Sequence, residues 1–524
     1  MKKKLASVFI AGFLAFGILG QQFSMVADLN QGVGSSLPQN ITNLNNNILF
    51  TAYSSNDGYC LFRSDGTNLG TVVVKNQWSS HYYIDWYDFQ NSKLFQSNYD
   101  KSTKIWITDG STNGTYQIFD LSNFLPNSSI RSGLCVKNGY VYFITEEVDA
   151  VWGNTIHKFC RVDNTFQNIE ILHQWQNNFQ PNYCWFQIEK LGNYIFIGDS
   201  GSTGVGTWAY DLTNNIISQI SSGGTFFQSE SKVFYNNKIV YSKNGNLYSL
   251  DGSNTQITTI LTSMSVGKLI VFNNLIYFSG GTIGPGLQGV ELYKTDGTAL
   301  NTSIVQDVYF GYNSSYPRNF KIINDRLFFE ASSINGYGIF CYNSSTNLLS
   351  ETYSDNFFYQ WNQDIPSIGF NNKLYFFAPN NSLDIWKLWE TGGSNAVLTQ
   401  NINATADSAC VRDFHIAGNV LFFVACDDQH GQELWSSVTN NLVGIKDFQN
   451  LLISIYPNPT SNNITIQVKD GMNQNFKIFD QMGREVISGK LNGINTEVSL
   501  SVLSKGIYTL KIEGNYQPAQ IVKE

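Results

Sequence analysis

The residues that could do chemistry are few and scattered. Asp65, Asp109, Asp251 and Asp296 each stand at a turn, where a carboxylate could contribute to a calcium site. A hard cation needs six or more oxygens from one dense loop, such as D-x-D-x-D-G. Each turn here offers one carboxylate, and Asp-Gly with a following Thr suffices as hairpin chemistry. No metal site is expected. Gly284-Pro285-Gly286-Leu287-Gln288-Gly289 spells G-x-G-x-x-G, but the strand pattern Val290-Glu291-Leu292-Tyr293 follows it. A dinucleotide site requires a helix there, so this is a loop. His81, His157, His173, His415 and His430 show neither H-E-x-x-H nor any paired ligand spacing, and no G-x-S-x-G is present. Glu146-Glu147-Asp149 and Asp427-Asp428 are acidic clusters expected in loops. A glycosidase needs two carboxylates a set distance apart, and solvated loop charge is the simpler reading. No catalytic residue and no cofactor is assigned.

The seven cysteines leave at least one thiol over if the others pair. Cys410 and Cys426 lie eight residues either side of Gly418, the centre of an expected hairpin through Ala417-Gly418-Asn419. Opposed positions across an antiparallel ladder come close enough to bridge, so a Cys410–Cys426 disulfide is expected. Cys60, Cys135, Cys160, Cys184 and Cys341 show no such symmetry and read as small buried apolar residues.

The elements that must position these residues follow from composition. Of 524 residues, 14% are charged and 15% aromatic, which excludes a disordered chain and argues against a helical one. Abundant Tyr, Phe, Trp, Thr, Asn and Gly with 10 Pro reads as strands joined by tight turns. The net charge is −8, and residues 5–450 hold 22 basic against 34 acidic groups. That balance disfavours nucleic acid or an anionic membrane as partner.

An internal period dominates the middle of the chain. Two turn residues followed by an apolar-aromatic run recur nine times, with first apolar residues at Leu49, Leu94, Val141, Ile195, Ile239, Ile276, Leu327, Leu374 and Leu421. The spacing averages about 46 residues, which fits a four-stranded propeller blade. Asn-Asn, Asn-Gly, Gly-Asn or Asn-Asp precedes most of the runs and closes a tight hairpin. Runs such as Leu374-Tyr375-Phe376-Phe377 are apolar at consecutive positions, so both faces must be buried. Each unit thus reads as four strands, a to d. Met25-Val26-Ala27-Asp28-Leu29 looks like a d strand without its own blade, able to complete the last one and close a nine-bladed ring.

The third hairpin of several units carries a family resemblance, and units three, four and seven keep only fragments of it. Glu291-Leu292-Tyr293-Lys294 enters Thr295-Asp296-Gly297-Thr298, and related runs occur at Leu61–Thr67, Ile105–Ser111 and Glu433-Leu434-Trp435. Residues 25–449 resemble the ELWxxDGT repeats of large secreted bacterial proteins. The resemblance implies a β-propeller-like array and carries no general catalytic assignment.

The two ends read as addresses. Lys2-Lys3-Lys4 followed by the apolar stretch Leu5–Leu19 has the pattern of a secretory signal over residues 1–20. No later segment has 18 consecutive apolar residues, so no transmembrane segment is expected in the mature chain. Residues 451–524 have their own composition, and about seven short strands there read as a small β-sandwich. Ile455-Tyr456-Pro457-Asn458-Pro459-Thr460, Phe476–Asp480 leading to Gly483-Arg484-Glu485-Val486, and Lys505-Gly506-Ile507-Tyr508 with Lys523 near the end carry a second resemblance. They are similar to the type IX secretion C-terminal sorting domain of Bacteroidota. That resemblance implies handling by the type IX machinery, export through the periplasm to the medium or outer cell surface, and removal of the tail.

The expected architecture is therefore all-β: a signal at 1–20, a propeller over 21–450 and a sorting sandwich over 451–524. The d–a connections and the adjoining a-strand starts are unusually aromatic. They hold Trp78, His81, Tyr82 and Tyr83; Trp175 and Phe179; Tyr312 and Tyr316; and Phe357, Phe358, Tyr359 and Trp361. Amphipathic rings beside Asn, Gln and Asp suit sugar faces and hydroxyls, and loops on a rigid scaffold commonly carry binding. The function expected is non-catalytic binding of extracellular carbohydrate or another macromolecule. The rivals are a propeller glycoside hydrolase or lyase and a structural surface-layer component.

Overall fold

The computed structural model describes residues 21–76, 84–97, 103–148, 155–177, 186–199, 206–221, 231–262, 264–281, 289–355, 364–379, 386–399, 402–403, 410–437, 454–467, 472–480, 484–493, 495–512 and 519–524. The chain divides into two compact units, Met1–Thr439 and Asn440–Glu524.

Among the described residues the first unit holds nine antiparallel sheets, and in seven of them four strands follow in hairpin order. Asparagine makes the tight turns possible: Asn236-Asn237, Asn273-Asn274 and Asn371-Asn372 all have positive φ, the region that Asn tolerates better than other side chains. Second strands are buried on both faces, as the consecutive run Leu421, Phe422, Phe423 and Val424 at 0% exposure shows. The environment that buries them is a sheet on either side. Leu44 and Leu49 of sheet one pack with Trp86 of sheet two, and seven further clusters join successive sheets in the same way. The ninth cluster returns to the start, joining Ile48, Phe50 and Phe62 to Ala417, Phe422 and Leu434 of sheet nine. Asn43 Nδ2 donates to the Ile416 carbonyl at 2.6 Å and Ser436 Oγ to that of Gly66 at 2.9 Å across the same seam. The fold is a β-propeller of nine blades.

Blade nine takes its outermost strand from the other end of the chain. Phe23–Met25 pairs antiparallel with Trp435-Ser436-Ser437. This strand lies earlier than the Met25–Leu29 expected from the pattern. After the Val26 amide bonds the Leu434 carbonyl, Asp28 and Leu29 already belong to a loop: Asp28 Oδ2 accepts from the Gly32 amide at 3.1 Å.

The Asp-Gly-Thr turns are self-contained. Thr67 donates from its amide and its hydroxyl to Asp65 Oδ1 at 2.9 and 2.7 Å, and the Gly70 amide donates to Thr67 Oγ1 at 2.9 Å. A Cβ on Gly70 would fall 1.9 Å from the Asp65 carboxylate, so the second glycine of the motif makes room for that carboxylate. Asp109 and Gly114 repeat the arrangement.

The second unit stacks a three-stranded sheet (Ser454–Tyr456, Asn463–Gln467 and Asn495–Ser499) on a four-stranded one (Glu485–Asn492, Met472–Phe479, Gly506–Ile512 and Ala519–Lys523). Ile464, Ile466, Phe476, Ile478, Leu510 and Ile521 fill the space between them, giving a β-sandwich with its own core.

Candidate functional site

Of the aromatic positions singled out from sequence, Trp78, His81, Tyr82, Tyr83, Phe179, Phe357, Phe358, Tyr359 and Trp361 lie outside the described residues. Trp175 is not a surface ring. It is 7% exposed, stacks on Phe186 at 6.3 Å and meets Trp208 edge-on at 5.7 Å, so it fills the wedge between blades three and four. Tyr312 and Tyr316, by contrast, are 75% and 44% exposed, and Phe310, which the sequence reading passed over, is 86% exposed. These three rings share the connection between blades six and seven.

That connection is rigidly anchored. Glu291, at the start of the third strand of blade six, is fully buried, and its carboxylate collects the loop's donors. Oε2 accepts from the Val308 amide at 2.8 Å and from Ser315 Oγ at 2.6 Å, while Oε1 accepts from the Ser315 amide at 2.9 Å. Asp307 Oδ2 takes the Gly311 amide at 3.2 Å. Burial pushes the Glu291 carboxyl above its ordinary range, against the pull of these hydrogen bonds.

The same device recurs after blade nine. Glu433 accepts from the amides of Leu29 and Ser36 at 3.4 and 3.1 Å and from Ser36 Oγ at 2.5 Å. Burial pushes its carboxyl up to about 7. Residues 28–40 and 307–319 both spell D-x-x-x-G-x-x-S-S-x-P-x-N. Leu37 and Tyr316 share a positive φ, as do Asn40 and Asn319. In blade eight Lys387 holds the position of Glu291 and donates to the Asn403 carbonyl at 2.8 Å.

Glu146 and Glu147 are not loop charge, whereas Asp427 and Asp428 stand at the turn that ends the strand Val420–Asp427. Glu146 and Glu147 lie inside the strand Tyr140–Val148. Arg131 donates to Glu146 Oε1 at 3.0 and 2.8 Å, and His157 Nε2 lies 3.4 Å from Oε2. Burial opposes ionisation of Glu146, but His157 and Arg131 together hold its carboxyl below the usual range. Glu147 pairs with Lys158 at 2.6 Å. The expectation of loops failed because two adjacent carboxylates can face opposite sides of a strand, each with a cationic neighbour. Asp427 accepts from the His430 amide at 2.7 Å, and Asp428 accepts from Asn403 Nδ2 at 3.2 Å. Asp149 lies outside the described residues.

Blade three departs from the common pattern. Its innermost strand is broken into Ser128–Ile130 and Cys135–Lys137, which both pair with Tyr140–Val148. Beside the break, a recess of about 270 Å³ is lined by residues 86–88, 134–136 and 188–190, the inner strands of blades two, three and four. Burial pushes the Cys135 thiol in its wall up to about 11, the direction that disfavours the reactive thiolate.

Cys410 and Cys426 are joined as a disulfide, with Cα atoms 5.4 Å apart. The hairpin turns between Ala417 and Val420, and a register shift between Arg412 and His415 brings the two cysteines opposite each other. Cys60, Cys135, Cys160 and Cys341 are buried free thiols, and Cys184 lies outside the described residues.

In the second unit the signature residues tie the last strand to the first sheet. Asn458 Nδ2 donates to the Gln520 carbonyl at 2.7 Å, and its Oδ1 accepts the Val522 amide at 2.8 Å. Pro457 and Pro459 flank Asn458, each after a cis bond. Lys523 Nζ donates to the Ser461 carbonyl. Tyr508 donates its hydroxyl to the Ser504 carbonyl at 2.8 Å, Gly506 pairs with Lys523, and Tyr456 is half-exposed. Gly483 lies outside the described residues.

Residues 454–523 match the family of secretion system C-terminal sorting domains. The tail implies type IX handling and export to the cell surface or medium. Among the described residues no helix is long and apolar enough to cross a membrane. No curated protein matches the chain. Among solved structures, BamB from Moraxella catarrhalis is 10% identical with a TM-score of 0.37, over 70% of this chain and 98% of its own. PorZ, a surface component of the type-IX secretion system of Porphyromonas gingivalis, is 12% identical with a TM-score of 0.27, over 92% of this chain and 74% of its own. A puromycin hydrolase is 10% identical with a TM-score of 0.37 over 66% of this chain, which spans 59% of the hydrolase. Likeness at these levels carries no argument about this chain.

Proposed function

We propose that the protein is an exported, non-catalytic binding protein whose propeller presents aromatic rings to an extracellular carbohydrate. The observation that carries this reading is the loop of Phe310, Tyr312 and Tyr316: three accessible rings on a connection fixed by a buried carboxylate. Rings held on a rigid base lose little conformational freedom on binding and offer flat apolar faces with polar edges. Binding is favoured over hydrolysis because Glu146, Glu147 and Asp427 are already engaged by Arg131, Lys158 and His430. Residues 1–20 act in this reading as a cleaved signal, residues 25–449 as a divergent ELWxxDGT array, and the tail as the part that the type IX machinery handles and removes.

A glycan-array screen of residues 21–450 tests the reading. At least one glycan should bind, and Phe310→Ala with Tyr312→Ala should weaken it tenfold or more at an unchanged melting temperature. Retention of all binding by that double variant would assign the glycan to another surface, and a blank array would remove the carbohydrate reading altogether.

A further inference from the structure

Eight of the nine blades have an unbroken innermost strand of four to six residues, such as Ile84–Phe89 and Phe186–Leu191; blade three does not. Its break is held open by specific contacts. Gln96 Nε2 donates to the Ser132 carbonyl at 2.9 Å, and the Ile144 amide donates to Ser132 Oγ at 2.8 Å. A Cβ on Gly133 would lie 2.9 Å from the Tyr87 hydroxyl, so that hydroxyl occupies the space a side chain would take. Arg131, within the break, turns into the blade to bind Glu146 at 2.8 Å. A departure from a repeated pattern that is supported on every side marks a place where regularity gives way to function.

We propose that the recess beside this break is a binding site for a neutral, single-ring polyhydroxylated ligand, one sugar residue in size. The site is independent of the loop at 307–316. The recess lies on the halves of the inner strands that lead into the turns after Phe89, Lys137 and Leu191, whereas the Phe310 loop is a connection at the other end of a blade. Its volume of about 270 Å³ falls just below the roughly 300–1,000 Å³ of drug-sized pockets, so it admits one ring and not an oligomer.

The lining has the matching chemistry. Asp88 and Glu189 are carboxylates already paired, with Lys93 at 2.6 Å and Lys232 at 2.5 Å. A carboxylate offers about four acceptor sites, so each keeps capacity for hydroxyl donors. Lys190 Nζ reaches the Val136 carbonyl at 3.4 Å, and an ammonium has three protons to give. Opposite charges therefore stand close together, which favours a neutral ligand over an ion. The half-buried indole of Trp86 supplies an apolar wall, pinned by Nε1 donating to the Asn40 carbonyl at 2.9 Å.

Saturation-transfer NMR of residues 21–450 with glucose, galactose, mannose, N-acetylglucosamine and glucuronate tests the proposal. At least one of the four neutral sugars should give signal at millimolar concentration. Its Kd should weaken tenfold or more in D88N/E189Q, while F310A/Y312A leaves it unchanged. If the first variant folds poorly, Lys190→Met should show the same loss. The proposal is overturned if no neutral sugar gives signal, if only glucuronate does, or if the recess variants bind as tightly as the parent. Loss of signal in F310A/Y312A alone would credit the loop and not the recess.

Discussion

The loops at 28–37 and 307–316 are the same piece of machinery built twice. Each begins with an aspartate that catches a glycine amide four residues on, and each closes on a buried glutamate that collects backbone donors and a serine hydroxyl. They differ at the tips. Gln31, Val33 and Leu37 stand in the first where Phe310, Tyr312 and Tyr316 stand in the second. The scaffold is kept while the side chains it displays change, as expected of a mount whose cargo carries the specificity.

The largest expected effect comes from removing the mount. Glu291→Ala strands the Val308 and Ser315 donors in a buried site, which should cost about 3 kcal/mol, read as a shifted urea midpoint, with glycan binding lost as well. If binding survives, the anchor is dispensable and the comparison of the two loops loses its meaning. Next is the blade beneath the first loop. Cys410→Ser opens a bridge spanning 16 residues and should lower stability by about 3 kcal/mol, again by urea. Stability unchanged by the substitution or by reductant would show that blade nine holds without the bridge.

A smaller effect separates the two glutamates by pH. The Glu433 carboxyl rises from 4.5 to about 7 because burial disfavours its charge, so the folded state takes up a proton more readily than the unfolded one. Its contribution to stability therefore grows as pH falls from 7 towards 4.5 and is flat below. Glu433→Gln should flatten that slope by on the order of 1 kcal/mol, measured by urea unfolding at pH 5 and pH 8. An unaltered slope would show that the proton goes elsewhere. The smallest effect sharpens the comparison most: Gln31→Phe, Val33→Tyr and Leu37→Tyr together should add a second, weaker glycan site. Failure to gain binding would mean that the surroundings of the second loop matter as much as its tips.

Much of the fold was legible because it depends on local rules. Asn-Asn pairs announce positive φ, and consecutive apolar residues announce a strand buried on both faces. The symmetry about Gly418 found the disulfide partners, although the strand needs a register shift to bring them opposite. What was missed depends on tertiary partners. Glu146 and Glu147 look solvated until Arg131 arrives from the break in the inner strand and Lys158 from the next strand. Trp175 looks like a surface ring until blade four covers it. The repeated D-x-x-x-G-x-x-S-S-x-P-x-N run was open to reading, but its meaning requires Glu291 and Glu433, and Glu433 lies 404 residues from the Leu29 amide that it binds. The broken strand of blade three leaves one local mark, Gly133, whose meaning requires the Tyr87 hydroxyl beside it.

The strand Phe23–Met25, seated against Trp435–Ser437, makes the ring a clasp whose two halves are made before and after the strands of all the other blades. A chain with only eight blades made has an unpaired leading strand and an open seam. Final closure must therefore wait for almost the whole propeller, and contacts so distant in sequence form slowly. The sorting tail is made only after the clasp is complete. Any chain that carries the tail therefore already contains every strand the ring needs.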